Sequence, residues 1–139
     1  MQIDFTIPGE PCAKGRPRFT RQGHAYTPEK TVNFETLVKY EYINQCDKYR
    51  FDDNAQLALD VVAYRSIPRS TSKKKRTLME AGVILPITKP DWDNIGKIVS
   101  DALNGIAYRD DSQVVDSRVR KIYSNEPRTV IRIWQVNNL

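Results

Sequence analysis

Residues 89–114 read KPDWDNIGKIVSDALNGIAYRDDSQV, and they hold the clearest helical pattern in the chain. Apolar side chains recur there at intervals of three and four residues, which places them on one face of a helix. This apolar stripe consists of Ile95, Ile98, Val99, Ala102, Leu103 and Ile106. Asp91 can cap the first turn, and Gly105 stands where a helix commonly ends. The pattern therefore predicts an amphipathic helix over about residues 91–104.

The segments on either side of this helix predict an α+β fold. Thr27 can cap a second long helix that runs to about Cys46, and residues 73–81 can form a short one. Alternating apolar residues predict strands over residues 2–7, 57–63, 113–123 and 128–136. The turn between the last two strands favours an antiparallel hairpin. We expect one domain over residues 1–139, with a mixed or antiparallel sheet of about four strands packed with two main helices.

The composition excludes several classes of protein. With 139 residues, 40% of them hydrophobic and 28% charged, the chain fits an ordinary soluble globular domain. It has no apolar run long enough to cross a bilayer and no signal-peptide pattern at its start, so we expect a cytoplasmic protein without a membrane partner. Cys12 and Cys46 lack zinc-ligand spacing. Because His24 is the only histidine, carboxylates and lysines must carry any catalysis.

Basic residues concentrate in two loop-like segments. The chain has 22 basic and 17 acidic residues, a formal charge of +5. One cluster lies within residues 14–21 and a second within residues 65–76. Each cluster alone is compatible with a solvated surface. Two of them in one small chain favour binding to phosphates.

The acidic residues around the main helix suggest phosphodiester hydrolysis. Asp91 and Asp93 fall at its start, Lys97 lies one turn beyond Asp93, and Asp110 and Asp111 follow its end. A helix that folds back onto a strand would return Asp111 to the site. Hard cations such as Mg²⁺ take carboxylate oxygens, and a lysine beside them can offset charge on a phosphate. The set is therefore suited to a metal-dependent nuclease.

Each of these residues also has a simpler interpretation. Asp91 can be only a helix cap, and Asp93 only an acid that favours the positive end of the helix dipole. Asp93 and Lys97 can be a surface pair, and the two adjacent acids at residues 110–111 can be a turn. The role of Asp101, which shares a helix face with Lys97, stays open.

The full set resembles the RusA family of Holliday junction resolvases. The matching motifs are D-x-D-N-x-x-K, then D-A-L-N-G, then D-D-x-Q-V, all within residues 88–124, and IPGEPCAKGRPRF near the N-terminus is similar to phage and prophage members. The resemblance implies that Asp91, Asp93, Lys97 and Asp111 are catalytic and that the three aspartates bind metal. Asp110 matches a neighbouring acidic position of the family.

The resemblance also implies the reaction and the partners. It indicates a homodimeric endonuclease, dependent on Mg²⁺ or Mn²⁺, that nicks a four-way DNA junction symmetrically in recombination and repair. A dimer with two sites suits a substrate that has approximate two-fold symmetry. The basic clusters would bind DNA phosphates through Lys14, Arg16, Arg18, Lys74 and Arg76.

Other functions stay open on the sequence alone. The same aspartates and lysine would serve a metal-dependent nuclease acting on flaps, nicked duplex or RNA. A non-catalytic DNA-binding protein is disfavoured, because the carboxylates would repel phosphate. A basic structural protein is a further alternative. The cleaved sequence, the dimer interface and the number of metals are not encoded in a readable pattern.

Overall fold

The computed structural model describes residues 1–136 and has one four-stranded sheet and one two-stranded sheet. Its helices and strands, in chain order, are β1 (Gln2–Pro8), β2 (Arg18–Phe19), β3 (Ala25–Tyr26), α1 (Glu29–Cys46), β4 (Leu57–Ser66), α2 (Lys73–Glu80), α3 (Trp92–Ala102), β5 (Val114–Ser124) and β6 (Arg128–Gln135). The mixed sheet with its helices confirms the expected α+β fold. The basic segment after β1 forms the small hairpin of β2 and β3.

The larger sheet has the order β1-β6-β4-β5. Strand β6 is antiparallel to both β1 and β4, and β5 is parallel to β4. Helices α1 and α3 pack together over one face of the sheet. The core under them includes Phe34 and Val38 from α1, Ile95 and Ile98 from α3, and Val61 from β4. The apolar stripe predicted for α3 therefore faces the sheet, although Ile106 is only partly buried.

The predicted hairpin between the last two strands is wrong. β5 and β6 follow each other closely in the chain, but β4 lies between them and pairs with both. Strand β4 is apolar on both faces, with Leu57, Ala58, Val61 and Val62 all buried, so burial is greatest when it lies inside the sheet. The connection over residues 125–127 only has to cross the width of β4, about 10 Å for two strand spacings.

The predicted helix limits are close to those observed, but two of the predicted caps are not made. Pro28 occupies the N-cap position of α1 and makes no side-chain cap, so Thr27 is not the cap. Asp91 occupies the N-cap position of α3, yet its carboxylate accepts no helix amide. Gly105, with a φ of 74°, follows α3 in the left-handed conformation as expected. No helix within residues 1–136 has the length and apolar character needed to span a membrane.

Candidate active site

The start of α3 presents two carboxylates that the fold leaves almost unused. Among residues 1–136, the Asp91 carboxylate has one bonded partner, Lys89, whose Nζ lies 2.6 Å from Asp91 Oδ2. Asp93 is exposed, and within residues 1–136 its side chain makes no hydrogen bond or ion pair. Because neither carboxylate accepts a backbone amide of its own helix, both remain available to a ligand.

Asp111 reaches the same helix on a tightly bonded loop. Its backbone N–H donates to Asn104 Oδ1 at 2.8 Å, which ties the end of α3 to the next turn. The Asp110 carboxylate accepts the Ser112 N–H at 3.0 Å and caps the short 3₁₀ turn Asp111–Gln113. Asn104 and Asp110 thus have structural roles that explain their place in the sequence motifs.

Gln113 fixes this loop to the segment before β4. Its Oε1 accepts the backbone N–H groups of Arg109, at 2.9 Å, and Asp110, at 3.3 Å. Its Nε2 donates to the carbonyls of Asp52, at 3.0 Å, and Ala55, at 3.2 Å. Four hydrogen bonds from one amide hold the backbone that carries Asp111. The sequence motif contained this glutamine, but nothing in its spacing revealed the contact with residues 52–55.

The loop returns Asp111 to the face of α3 that carries Lys97 and Asp101. Lys97 Nζ lies 3.5 Å from Asp101 Oδ2. Burial raises the pKa of Asp111, and the charges of Asp110 and Asp101 raise it further, whereas Lys97 lowers it. The carboxylates of Asp101 and Asp111 therefore lie close enough to repel each other, with the Lys97 ammonium beside them.

Lys14 joins this group from the N-terminal loop. Its Nζ lies 2.6 Å from Glu35 Oε1 and 3.4 Å from Asp101 Oδ2, and its backbone N–H donates to the Asn94 carbonyl at 2.9 Å. Burial lowers the pKa of Lys14, but its hydrogen bond to Glu35 and the nearby negative charges raise it overall. Lys14 was predicted to bind DNA, whereas the structure directs its ammonium towards the protein's own carboxylates.

Glu35 and Asp101 complete an ionic group that the sequence did not reveal. Their side chains are 17% and 20% exposed, so both carboxylates are largely shielded from water. Glu35 comes from α1, more than 60 residues before Asp101 in the chain. Only the packing of α1 against α3 brings the two together, and no local spacing could have indicated it.

The donor chemistry suits a hard cation, but the three aspartates are not assembled as a metal centre. Within residues 1–136, no group of three or more His, Cys, Asp or Glu side chains is placed to hold a metal ion. Carboxylate oxygens are the ligands that Mg²⁺ prefers, and Mg²⁺ commonly keeps several waters and uses only one or two of them. Asp91 and Asp93 fit that demand by their chemistry, because Asp93 makes no hydrogen bond or ion pair within residues 1–136 and Asp91 is paired there only with the exposed Lys89.

The remaining predicted DNA-binding residues fall in two places. Arg16 and Arg18 line a cleft of 710 Å³ whose wall also includes Asp91. Lys74 is exposed on α2. The Arg76 guanidinium donates to the Pro68 carbonyl at 3.3 Å and to Asn125 Oδ1 at 3.4 Å, which anchors α2 near the β5–β6 connection.

Comparison with known proteins identifies the class to which this fold and site belong. A sequence profile of the endodeoxyribonuclease RusA family matches residues 8–134, and the chain belongs to that family. The chain is also similar to the uncharacterized protein YqaN of Bacillus subtilis (strain 168). The two are 43% identical over an alignment of 142 positions, which covers 97% of each chain. The family match confirms the resemblance seen in the motifs and its interpretation as an endodeoxyribonuclease.

Proposed function

We propose that this protein is a metal-dependent endonuclease that resolves four-way DNA junctions by paired symmetric nicks, in recombination and repair. The observation that carries the proposal is a pair of carboxylates with few internal partners, Asp91 and Asp93, at the start of α3 and before Lys97, in a chain of the RusA family. Carboxylates with so few internal partners remain able to accept a ligand, which supports a binding site at the start of α3.

The chain supplies the residues that such a reaction needs. Mg²⁺ or Mn²⁺ held by Asp91, Asp93 and Asp111 would supply an activated water and offset charge on the phosphate. The Lys97 side chain is 59% exposed, so its ammonium can turn from Asp101 towards a phosphate oxygen. Asp101 holds that ammonium near the site until a phosphate arrives, and thereby positions it.

The substrate and the assembly follow from the chemistry of a junction. A four-way junction has approximate two-fold symmetry, so paired nicks require two sites related by the same symmetry, as in a C₂ homodimer. Arg16 and Arg18, beside Asp91, would contact phosphates close to the cut, and Lys74 and Arg76 would contact a more distant part of the DNA. Cys12 and Cys46 are free thiols, which fits the reducing cytoplasm as the place of action.

The test is cleavage of a labelled four-way junction with Mg²⁺ or Mn²⁺, beside duplex, flap, single-stranded DNA and RNA. We expect paired nicks at symmetric positions on the junction. Asp93→Asn should lower the cleavage rate at least about 100-fold while junction binding and thermal stability stay nearly unchanged, because the Asp93 carboxylate makes no hydrogen bond or ion pair within residues 1–136.

Asp116→Asn is the matched control, because Asp116 is an exposed carboxylate on β5 without a bonded partner in residues 1–136. It should cleave like the wild type. Preferential cleavage of a flap, a nicked duplex or RNA would keep the nuclease and reject the resolvase. Tight junction binding without any cleavage would instead identify a DNA-binding protein. Sedimentation of the protein alone and with the junction tests the dimer.

A further inference from the structure

The cleft beside Asp91 carries far more positive than negative charge. It has a volume of 710 Å³ and is formed by the N-terminal loop, the first turn of α1, the end of β4 and the segment before α3. Its acidic lining residues are Glu10 and Asp91. Its basic lining residues are Arg16, Arg18, Lys30, Arg65 and Lys89. This region, here called the basic cleft, is a concave surface suited to an anion.

Hydrogen bonds between its walls hold the basic cleft in shape. Arg65 donates to Thr88 Oγ1 at 3.0 Å and to the Lys89 carbonyl, which joins the end of β4 to the segment before α3. The Glu10 carboxylate accepts the Ser66 N–H at 3.2 Å, which joins the end of β4 to the N-terminal loop. The cleft is therefore built before any ligand arrives.

The N-terminal loop is fixed just as closely to α1. The Gly15 N–H donates to Thr31 Oγ1 at 3.0 Å. A Cβ at Gly15 would lie 2.7 Å from that same oxygen, so only glycine permits this approach. The contact sets the loop that carries Arg16 and Arg18 against the helix turn that carries Lys30.

Three of these cations have no partner in the part of the chain that the structure describes. Within residues 1–136, the side chains of Arg16, Arg18 and Lys30 make no hydrogen bond and no ion pair, and all three are exposed. Lys14 is the contrast, because it lies two residues before Arg16 and its charge is already balanced by Glu35 and Asp101. Unbalanced cations on a preformed concave surface indicate a polyanionic ligand.

We infer that the basic cleft binds the phosphates of the cut DNA strand next to the scissile bond, with Lys30 as a contact beside Arg16 and Arg18. This inference rests on the proposed function. Asp91 belongs both to the cleft wall and to the candidate active site, so a strand whose phosphate lies at Asp91 continues directly into the cleft. Lys30 stands outside both basic clusters of the sequence and reaches the site only through the packing of α1.

The first measurement compares Lys30→Ala with Lys39→Ala. Lys39 is exposed on the same helix, is unpaired within residues 1–136 and lies outside the cleft. Junction binding is measured without divalent metal at several salt concentrations. Lys30→Ala should weaken binding and reduce the slope of log affinity against log salt by about 0.9, the value for one lost phosphate contact. Lys39→Ala should match the wild type.

The second measurement locates the contact on the DNA. Single phosphates are replaced by neutral methylphosphonates, one at a time, on the cut strand and on the uncut strands. The affinity lost through Lys30→Ala should disappear only when the neutral phosphate is on the cut strand beside the cleavage position, because the two changes then remove the same contact.

The outcomes separate this inference from the proposed function. Equal salt slopes for Lys30→Ala and Lys39→Ala, or coupling to an uncut strand, would overturn the cleft assignment even when the wild type resolves junctions. If the wild type prefers a flap or duplex, the proposed junction specificity is wrong. The same two measurements on that DNA then decide whether the basic cleft binds the cut strand. A protein that cuts no DNA overturns both.

Discussion

The carboxylates at the two ends of α3 differ in how many partners they have within the protein. At the amino end, Asp91 contacts only the exposed Lys89, and Asp93 contacts nothing within residues 1–136. At the carboxyl end, Asp101 is ion-paired with Lys14 and Lys97 and is largely shielded from water. One helix therefore carries carboxylates left free for a ligand and a carboxylate used by the protein itself.

This contrast shows how the small fold separates groups that bind a ligand from groups that position them. Groups that must accept a ligand are kept free of internal partners, because each internal bond would have to be broken first. Groups that set geometry are bonded on several sides, as Gln113 and Asn104 are around Asp111. Lys97 lies between the two regions, with one weak ion pair and an exposed ammonium, and it can serve both.

Lys97→Ala tests whether Lys97, in the middle of α3, acts as one of the groups kept free for a ligand. We expect the cleavage rate to fall about 100-fold, because a charge that stabilises the phosphate is lost. The affinity for Mn²⁺ should not fall, since lysine is not a metal ligand. The unfolding free energy should change by less than about 1 kcal/mol, because the Lys97 side chain that pairs with Asp101 is itself mostly exposed to water.

Cleavage and Mn²⁺ titration would be measured side by side, with Lys39→Ala as the exposed control on α1. An unchanged turnover would remove Lys97 from the site. Lost Mn²⁺ binding would show instead that the lysine organises the carboxylates, and it would then belong with the positioning groups.

Gln113→Ala tests the bonded region directly. The substitution removes four hydrogen bonds to backbone groups, so the unfolding free energy should fall by roughly 2 kcal/mol. Cleavage should also decrease, because the turn that carries Asp111 loses its attachment to residues 52–55. Urea unfolding measures the first effect. Gln22→Ala, at an exposed glutamine in the β2–β3 turn, is the control and should leave stability unchanged. Equal stability of the two variants would contradict the positioning role.

Local pattern was sufficient for most of the fold. The apolar stripe of α3 and the strand pattern of β4 each depend on residues a few positions apart, and both elements are observed, although β4 is buried on both faces instead of alternating. The hairpin prediction failed because strand pairing depends on which strand needs burial on both faces. That comparison involves β4, which lies far from β5 and β6 in the chain.

For the site too, the positions of residues along the chain were predictable, whereas the partners of their side chains were not. Asp91 was placed correctly at the start of α3, but its carboxylate pairs with Lys89 instead of capping the helix. Lys14 looked equivalent to Arg16 because both lie in one basic segment. Its partners, Glu35 and Asp101, come from two different helices, so only tertiary packing distinguishes the paired cation from the free ones.

The smallest expected change in stability concerns Asp111. Asp111→Asn should raise the melting temperature by roughly 1–3 °C at pH 7, because it removes a partly buried charge that Asp110 and Asp101 repel. The same substitution should abolish rapid cleavage, since it removes a proposed metal ligand. Scanning calorimetry across pH, with exposed Asp116→Asn as control, measures the gain.

The sign of the pH dependence follows from the raised pKa of Asp111. The folded chain binds this proton more tightly than the unfolded chain, so the ionised carboxylate destabilises the fold above its pKa. The advantage of Asp111→Asn should therefore be largest near neutral pH and should disappear as pH falls towards the ordinary value of 3.8. A variant that is less stable than the wild type at pH 7 would mean that Asp111 stabilises the loop through its charge. The loop would then depend on the carboxylate that it presents, and Asp111 would belong with the bonded groups instead of the free ones.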